Sequence, residues 1–288
     1  MSLSNAKITF VGAGSMAEAI VRGLTSQKDA DASRITMLNR QDTERLQKLH
    51  ESYGVSYVTE LTDKDRVTSE ADVVVVAFKP KDAIEGLKAL APLLNRSQLL
   101  VSVIAGLSIA TIEAILGSAG QPIARTMPNT SSSIGLGATG ISFSSQVSKE
   151  QQQLAIDMFA STGIVSVVEE SKLDIVTGVS GSGPAYIYYM MEAMIEGGIR
   201  GGLSPEAARE LTVQTVLGAA NMVKLTGEEP ADLRRKVTSP NGTTQAAIEM
   251  LDQYDFSAGV AKAVLRAAER AGELGEAITS QAAAVQSK

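Results

Sequence analysis

Residues 7–17 read Lys-Ile-Thr-Phe-Val-Gly-Ala-Gly-Ser-Met-Ala. A short β-rich run, Lys7 to Val11, meets the glycine turn Gly12-Ala13-Gly14-Ser15-Met16-Ala17. A helical pattern with apolar Ala19, Ile20, Val21 and Leu24 follows. A G-x-G-x-x-A spacing is weak alone. Between a strand and a helix it predicts the first turn of a dinucleotide-binding βαβ unit. Gly12 permits the tight turn and Gly14 lets a pyrophosphate approach the backbone. Ala17 keeps the helix close to the strand, and the free N–H groups at the helix start face the phosphates.

The pattern continues as that unit requires. A second strand is expected at Arg34 to Leu38 and a helix from Asp42 to Tyr53. Ala71 to Phe78 is a near-continuous apolar run, suited to a parallel strand buried on both faces. Leu99–Val103, Pro122–Met127, Gly140–Phe143 and Gly163–Val168 read as further strands, and Ser108 is placed to cap the helix after the first of them. Strands alternating with helices predict an α/β fold with a Rossmann-type doubly wound sheet. Its second strand ends on Asn39-Arg40. A carboxylate there would bind the adenosine ribose of NAD and repel a 2′-phosphate. An amide beside a cation favours NADP(H).

After Val168 the β signals stop. Ser180 to Pro184 reads as a turn into a helix on which Met191, Met194, Ile195, Gly198 and Ile199 share one face. Ser204-Pro205 opens another helix with Val213, Val216, Leu217 and Ala220 on one side, and a last long helix is expected from Phe256 to Ala284. The domain break is placed at Glu169–Lys172. This gives a dinucleotide-binding domain over 1–168 and an all-α domain over 169–288. The methionines and the Gly197-Gly198 and Gly201-Gly202 pairs suit close helix packing, read here as an interface with a second copy.

Composition removes several function classes. There is no cysteine and one histidine, His50, in an exposed helical pattern, so thiol chemistry and a His-based triad or zinc site are not expected. No metal site is predicted. The net charge of −6 and aromatic content of 4 % argue against nucleic-acid partners. No apolar run reaches membrane-spanning length. The expected setting is the cytoplasm and the expected partner a small molecule.

One polar loop remains, Ser239-Pro240-Asn241-Gly242-Thr243-Thr244, running into an apolar helical pattern. It reads either as an ordinary helix cap or as a set of free backbone N–H groups that grip an anion.

Together these motifs resemble the pyrroline-5-carboxylate reductases. The resemblance rests on Val11–Met16, Ala77-Phe78-Lys79-Pro80, Ser102–Gly106, Met127-Pro128-Asn129-Thr130, Gly178–Tyr186 and Val237–Thr244, in that order. It covers nearly the whole chain. Members reduce the cyclic imine 1-pyrroline-5-carboxylate to L-proline, the last step of proline synthesis, with NADPH, NADH or both. Their second domain pairs two subunits, and some members assemble as pentamers of dimers. The resemblance therefore implies an all-α dimerisation domain and an oxidoreductase that prefers NADPH. The cofactor would lie on Gly12, Ala13, Gly14, Ser15, Met16, Asn39, Arg40, Ala77, Phe78, Lys79, Pro80, Val103, Ile104, Ala105 and Asn129. The substrate carboxylate would lie on the N–H groups of Thr243 and Thr244, with Ser239 and Gly242 shaping the loop. Glu170 would touch the ring nitrogen, and Thr244 carries the expected catalytic hydroxyl. Asp63-Lys64 and Lys236 depart from the family pattern near the cofactor.

Two other functions compete. A β-hydroxyacid dehydrogenase shares this architecture but carries a lysine about one turn into the first helix after the glycine-rich turn. Here Tyr186-Ile187-Tyr188 occupies that register, and no Lys or Arg follows until Arg200. A non-catalytic dinucleotide-binding paralogue would be marked by a damaged substrate loop, and Ser239 to Thr244 is intact.

Overall fold

A computed structural model describes residues 3–118 and 120–286. Eight strands form one sheet: β1 (Ile8–Val11), β2 (Ile35–Leu38), β3 (Ser56–Tyr57), β4 (Val73–Val76), β5 (Leu99–Ser102), β6 (Ile123–Met127), β7 (Gly137–Phe143) and β8 (Gly163–Val167). Their order is β3-β2-β1-β4-β5-β6-β7-β8. The first six are parallel in the strand order of dinucleotide-binding sheets. β7 runs antiparallel to β6, and β8 is parallel to β7.

β4 shows why the sheet is covered on both faces. All four valines are buried, with Val73 and Val75 in one apolar cluster and Val74 and Val76 in the other. Period-two alternation sends neighbours to opposite sides, so only a sheet with helices on both faces buries all four. One layer contains α1 (Ser15–Thr25), α2 (Thr43–Tyr53) and α6 (Lys149–Ala160), through Ile20, Leu46, Leu49 and Phe159. The other contains α4 (Ala83–Leu90) and α5 (Ile109–Leu116), through Leu87 and Ile112. A short helix, α3 (Leu61–Ser69), precedes β4. Asp42 and Ser108 cap α2 and α5 by accepting from Arg45 N–H and Thr111 N–H. His50 is exposed in the last turn of α2, its Nδ1 within 2.8 Å of the Val55 carbonyl.

The chain divides into two compact units, residues 1–182 with 266–288, and residues 183–265. This differs from a break at 168/169, and buried contacts explain why. Segment 169–182 is bound to the sheet: Leu173 is buried and lies with Val176 against Gly140 of β7. Asp174 and Glu170 are salt-bridged to Arg125 of β6. Ser180 to Pro184 is not a simple turn. α7 (Leu173–Val176) runs into a π-helical stretch, Thr177–Gly181, and then α8 (Gly183–Arg200). The final helix, α12 (Phe256–Gln286), contributes its last part to the first unit. There Ile278 and Ala282 enter the core, the Thr111 and Thr279 hydroxyls pair at 2.7 Å, and Gly275 lies so close to the Gly106 carbonyl that a Cβ would sit 2.3 Å from it.

The second unit is helical: α8, α9 (Pro205–Thr226), α10 (Pro230–Lys236), α11 (Thr243–Gln253) and the start of α12. α8 and α9 meet where Gly198 faces Ala208. This unit has almost no core of its own. Within 183–265 only Ala208 and Thr212 are buried, while Tyr188, Leu211, Leu217, Met222 and Leu225 are exposed.

Candidate active site

The parallel strands β1, β2, β4 and β5 present their C-terminal ends on one edge of the sheet, and chain order reverses between β1 and β4. Such a reversal opens a crevice for ligands. Gly12 lies at that point with φ +114°, and a Cβ on it would meet the Ala77 carbonyl oxygen at 2.6 Å. Gly12 thus serves the turn and also lets the β1 and β4 loops touch backbone to backbone. Gly14 differs: its φ is ordinary, and a Cβ on it would meet nothing within 4 Å. Its open side is free for a ligand.

α1 begins at Gly14 with no side-chain cap. The N–H groups of Ser15, Met16 and Ala17 meet no acceptor among the described residues. Beside them is a cleft of about 640 Å³ lined by Ala13–Ser15, Glu18, Asn39–Asp42, Arg45 and Lys79. Arg45 braces the turn, donating to the Ala13 carbonyl at 3.0 Å and to Glu18 at 2.5 Å. The hydrogen bond from Arg45 is the largest influence holding the Glu18 carboxyl below its ordinary pKa. The carboxylate beside the phosphate-binding turn is thereby paired.

The adenosine end is built on Asn39 and Arg40. Asn39 Oδ1 accepts from the N–H groups of Gln41 and Asp42, and Lys64 Nζ donates to the Asn39 carbonyl at 3.0 Å. This leaves Arg40 exposed at the cleft, where it pairs with Glu85. Phe78 packs on Gly86 of α4, and Lys79 and Pro80 are exposed. After β5, Val103 and Ala105 are half-buried while Ile104 turns into the core. A dinucleotide fits these features: an open glycine, an uncapped helix start and a cation, Arg40, at the end of β2.

Two expected site residues are hydrogen-bonded within the protein. Asn129 is buried; its carbonyl accepts from Ala138 N–H and its amide donates to the Ser180 carbonyl. It braces the β6–β7 connection. Glu170, expected beside a ring nitrogen, has its Oε1 bound by Ile109 N–H at 2.7 Å and Arg125 at 3.2 Å. There it satisfies a free donor of the first turn of α5 and part of a nearly buried guanidinium. Lys236 is paired with Glu228. Sequence reasoning missed Arg125, although a lone cation inside the apolar strand Ile-Ala-Arg-Thr-Met demands an acidic partner.

In the helical unit the loop before α11 leaves its helix without a side-chain cap. Ser239 to Gly242 form a turn closed by Gly242 N–H to the Ser239 carbonyl at 3.0 Å, with Asn241 at φ +57°. Proline second and a left-handed Asn third is the pattern of a type II turn. The N-cap of α11 is therefore Gly242, and no side chain caps the helix. Gln245 reaches back to Asn241 N–H. The N–H groups of Thr243, Thr244 and Gln245 meet no acceptor among the described residues. The loop's hydroxyls do not cap their own helix, and its free donors form a concentrated positive end. Thr243 is exposed and Thr244 half-buried.

Comparison with known proteins agrees with both halves. The family profile for pyrroline-5-carboxylate reductase dimerisation matches residues 170–274, and the profile described as NADP oxidoreductase, coenzyme F420-dependent, matches residues 7–106. A pyrroline-5-carboxylate reductase of Bacillus subtilis is 39 % identical over 96 % of this chain and 92 % of its own length. The one from Pseudomonas aeruginosa is 40 % identical over 95 % of this chain and 98 % of its own. Among solved structures, the pyrroline-5-carboxylate reductase of Coxiella burnetii superposes with a TM-score of 0.86 at 39 % identity, covering 93 % of this chain and 98 % of that one. The Plasmodium falciparum enzyme, solved with NADP bound, gives 0.82 at 29 % identity over 94 % and 99 %. With a dinucleotide cradle after β1, an uncapped Ser-Pro-Asn-Gly-Thr-Thr helix start and relatives of this identity along almost its full length, the chain belongs to the pyrroline-5-carboxylate reductase family.

Proposed function

We propose that this chain reduces 1-pyrroline-5-carboxylate to L-proline at the expense of NADPH. The observation that carries the reading is the start of α11, where a glycine N-cap leaves the Thr243, Thr244 and Gln245 N–H groups without a protein acceptor. A small mono-anion needs a few aimed donors and the helix dipole, with no lysine required. The substrate carboxylate fits there, on Thr243 N–H and Thr244 N–H.

The start of α1 would hold the pyrophosphate, and Arg40 would meet the 2′-phosphate. When bound, NADPH supplies the hydride. The imine carbon gains that hydride while the ring nitrogen gains a proton, so one C=N bond becomes CH–NH. A protonated imine is already electrophilic, so the protein's task is chiefly to position it. This suits a chain with no cysteine and a single histidine, His50, in a surface helix. The Thr244 hydroxyl orients the ring nitrogen or relays a proton from water, because it is too weak an acid to act alone. Glu170 is assigned to the fold, since its Oε1 is bound by Arg125 and Ile109. The test is turnover: the folded protein should form L-proline from the imine with NADPH.

The working unit is a homodimer through the helical unit. A helical layer with two buried residues and a broad exposed apolar surface must cover that surface with a copy of itself to be stable in water. Light scattering should give a dimer or a multiple of one. Met194→Asp, which puts a charge on the α8 face, should dissociate or aggregate it, because a desolvated unpaired carboxylate costs several kcal/mol, roughly 3–5. A wild type that is monomeric and fully active at assay concentration would refute the dimer.

A further inference from the structure

The cation expected to meet the 2′-phosphate already has a counter-ion. Arg40 Nη1 lies 3.1 Å from Glu85 Oε2, and both side chains are largely exposed, at 72 % and 79 %. The nearby acid Asp42 is not that partner, because its carboxylate caps α2. Glu85 comes from a different element, the first turn of α4. The backbone beside Arg40 is pinned by the Asn39 and Lys64 hydrogen bonds, so the guanidinium extends from a fixed stem at the edge of the cleft.

Any 2′-phosphate that binds this guanidinium has to share it with the Glu85 carboxylate or displace that carboxylate. It also brings up to two negative charges beside a third. The 2′-hydroxyl of NAD does neither. We propose that Glu85 is a specificity-determining residue: as counter-ion to Arg40 it lowers the preference for NADP(H) over NAD(H) below what Arg40 alone would give. An exposed pair is weak enough to be exchanged for a phosphate, so Glu85 tempers selection without preventing it. This inference rests on the cofactor site proposed above.

Glu85→Gln removes the charge and keeps the shape. The experiment is isothermal titration of the full-length protein, wild type and variant, with NADP⁺, NAD⁺ and adenosine 2′,5′-bisphosphate, at low and at physiological ionic strength. Relief of repulsion through screened solvent should tighten NADP⁺ and the bisphosphate by about three- to tenfold, less at the higher salt. NAD⁺ should bind as before. Arg40→Gln should weaken NADP⁺ and leave NAD⁺ little changed. If Glu85→Gln leaves NADP⁺ affinity unchanged, or tightens NAD⁺ equally, the role of Glu85 is overturned while the cofactor site stands. Failure of the wild type to bind either dinucleotide would overturn the cofactor site and this inference together.

Discussion

Gly12→Ala should cost both stability and cofactor binding, whereas Gly14→Ala should cost cofactor binding alone. At Gly12 a methyl group would be placed 2.6 Å from the Ala77 carbonyl oxygen, on a backbone at φ +114°. The obstacle is backbone, with no flexible side chain to swing away. Positive-φ strain and overpacking together come to about 2–5 kcal/mol, and relief requires the β1 and β4 loops to part. The phosphate cradle opens with them. At Gly14 the φ is −75° and a Cβ meets no protein atom within 4 Å, so the fold has no reason to suffer. The added methyl instead occupies space through which a pyrophosphate approaches. Thermal unfolding and fluorescence titration with NADPH separate the two cases. Gly12→Ala should lower Tm by several degrees and weaken NADPH about a hundredfold or more. Gly14→Ala should keep Tm and still bind weakly. A Gly12→Ala protein with wild-type Tm and NADPH affinity would remove the close approach from the account.

The second large effect is expected at Gly242→Pro. Proline accepts the φ of −85° at this position, so its own backbone angle is not the problem. The residue before it is: Asn241 sits at φ +57°, and a following proline disfavours that conformation. The substitution also deletes the N–H that closes the turn on the Ser239 carbonyl, and puts ring atoms where a Cβ would lie 2.5 Å from Ser239 Oγ. The start of α11 must then move, and its free N–H groups move with it. kcat/KM for the imine should fall at least about a hundredfold, with NADPH affinity nearly unchanged because the dinucleotide lies on the first unit. Thr243→Ala keeps its backbone donor and should stay active. Thr244→Ala loses the hydroxyl assigned to the ring nitrogen and should fall roughly tenfold or more, the range of one hydrogen bond to a charged group. Equal losses at Thr243 and Thr244 would contradict the division between backbone and hydroxyl. A folded Gly242→Pro enzyme with wild-type turnover would return α11 to the status of an ordinary helix.

The parts legible in the sequence are those fixed by short-range rules. The glycine turn, the all-valine strand and the Ser108 cap each depend on neighbours in the chain, and they lie where local patterning places them. The polar loop at Ser239–Thr244 was visible as a loop, but its turn geometry and the absence of a cap appear only in three dimensions. That segment 169–182 and the end of α12 join the first compact unit is not visible in the sequence, because it depends on contacts far apart along the chain: Arg125 with Asp174, Thr111 with Thr279, Gly106 with Gly275. For the same reason the partners of Glu170 are not visible in the sequence. Ile109 and Arg125 lie 61 and 45 residues away. Arg40 reads in the sequence as a cation for the cofactor, and its carboxylate partner, 45 residues away on α4, is not visible there. The antiparallel turn at β6–β7 was hidden too, since strand patterning fixes which residues face the core but not the strand's direction.

The central claim is that an uncapped helix start and a dinucleotide cradle in this chain together serve reduction of a cyclic imino acid. The most direct measurement follows nicotinamide absorbance with the wild-type protein and 1-pyrroline-5-carboxylate, with NADPH and with NADH, alongside NADP⁺ with a 3-hydroxy acid. The account predicts NADPH oxidation matched by L-proline formation, slower use of NADH, and no turnover of the 3-hydroxy acid. A folded protein that oxidises the hydroxy acid, or leaves NADPH untouched in the presence of the imine, would contradict it.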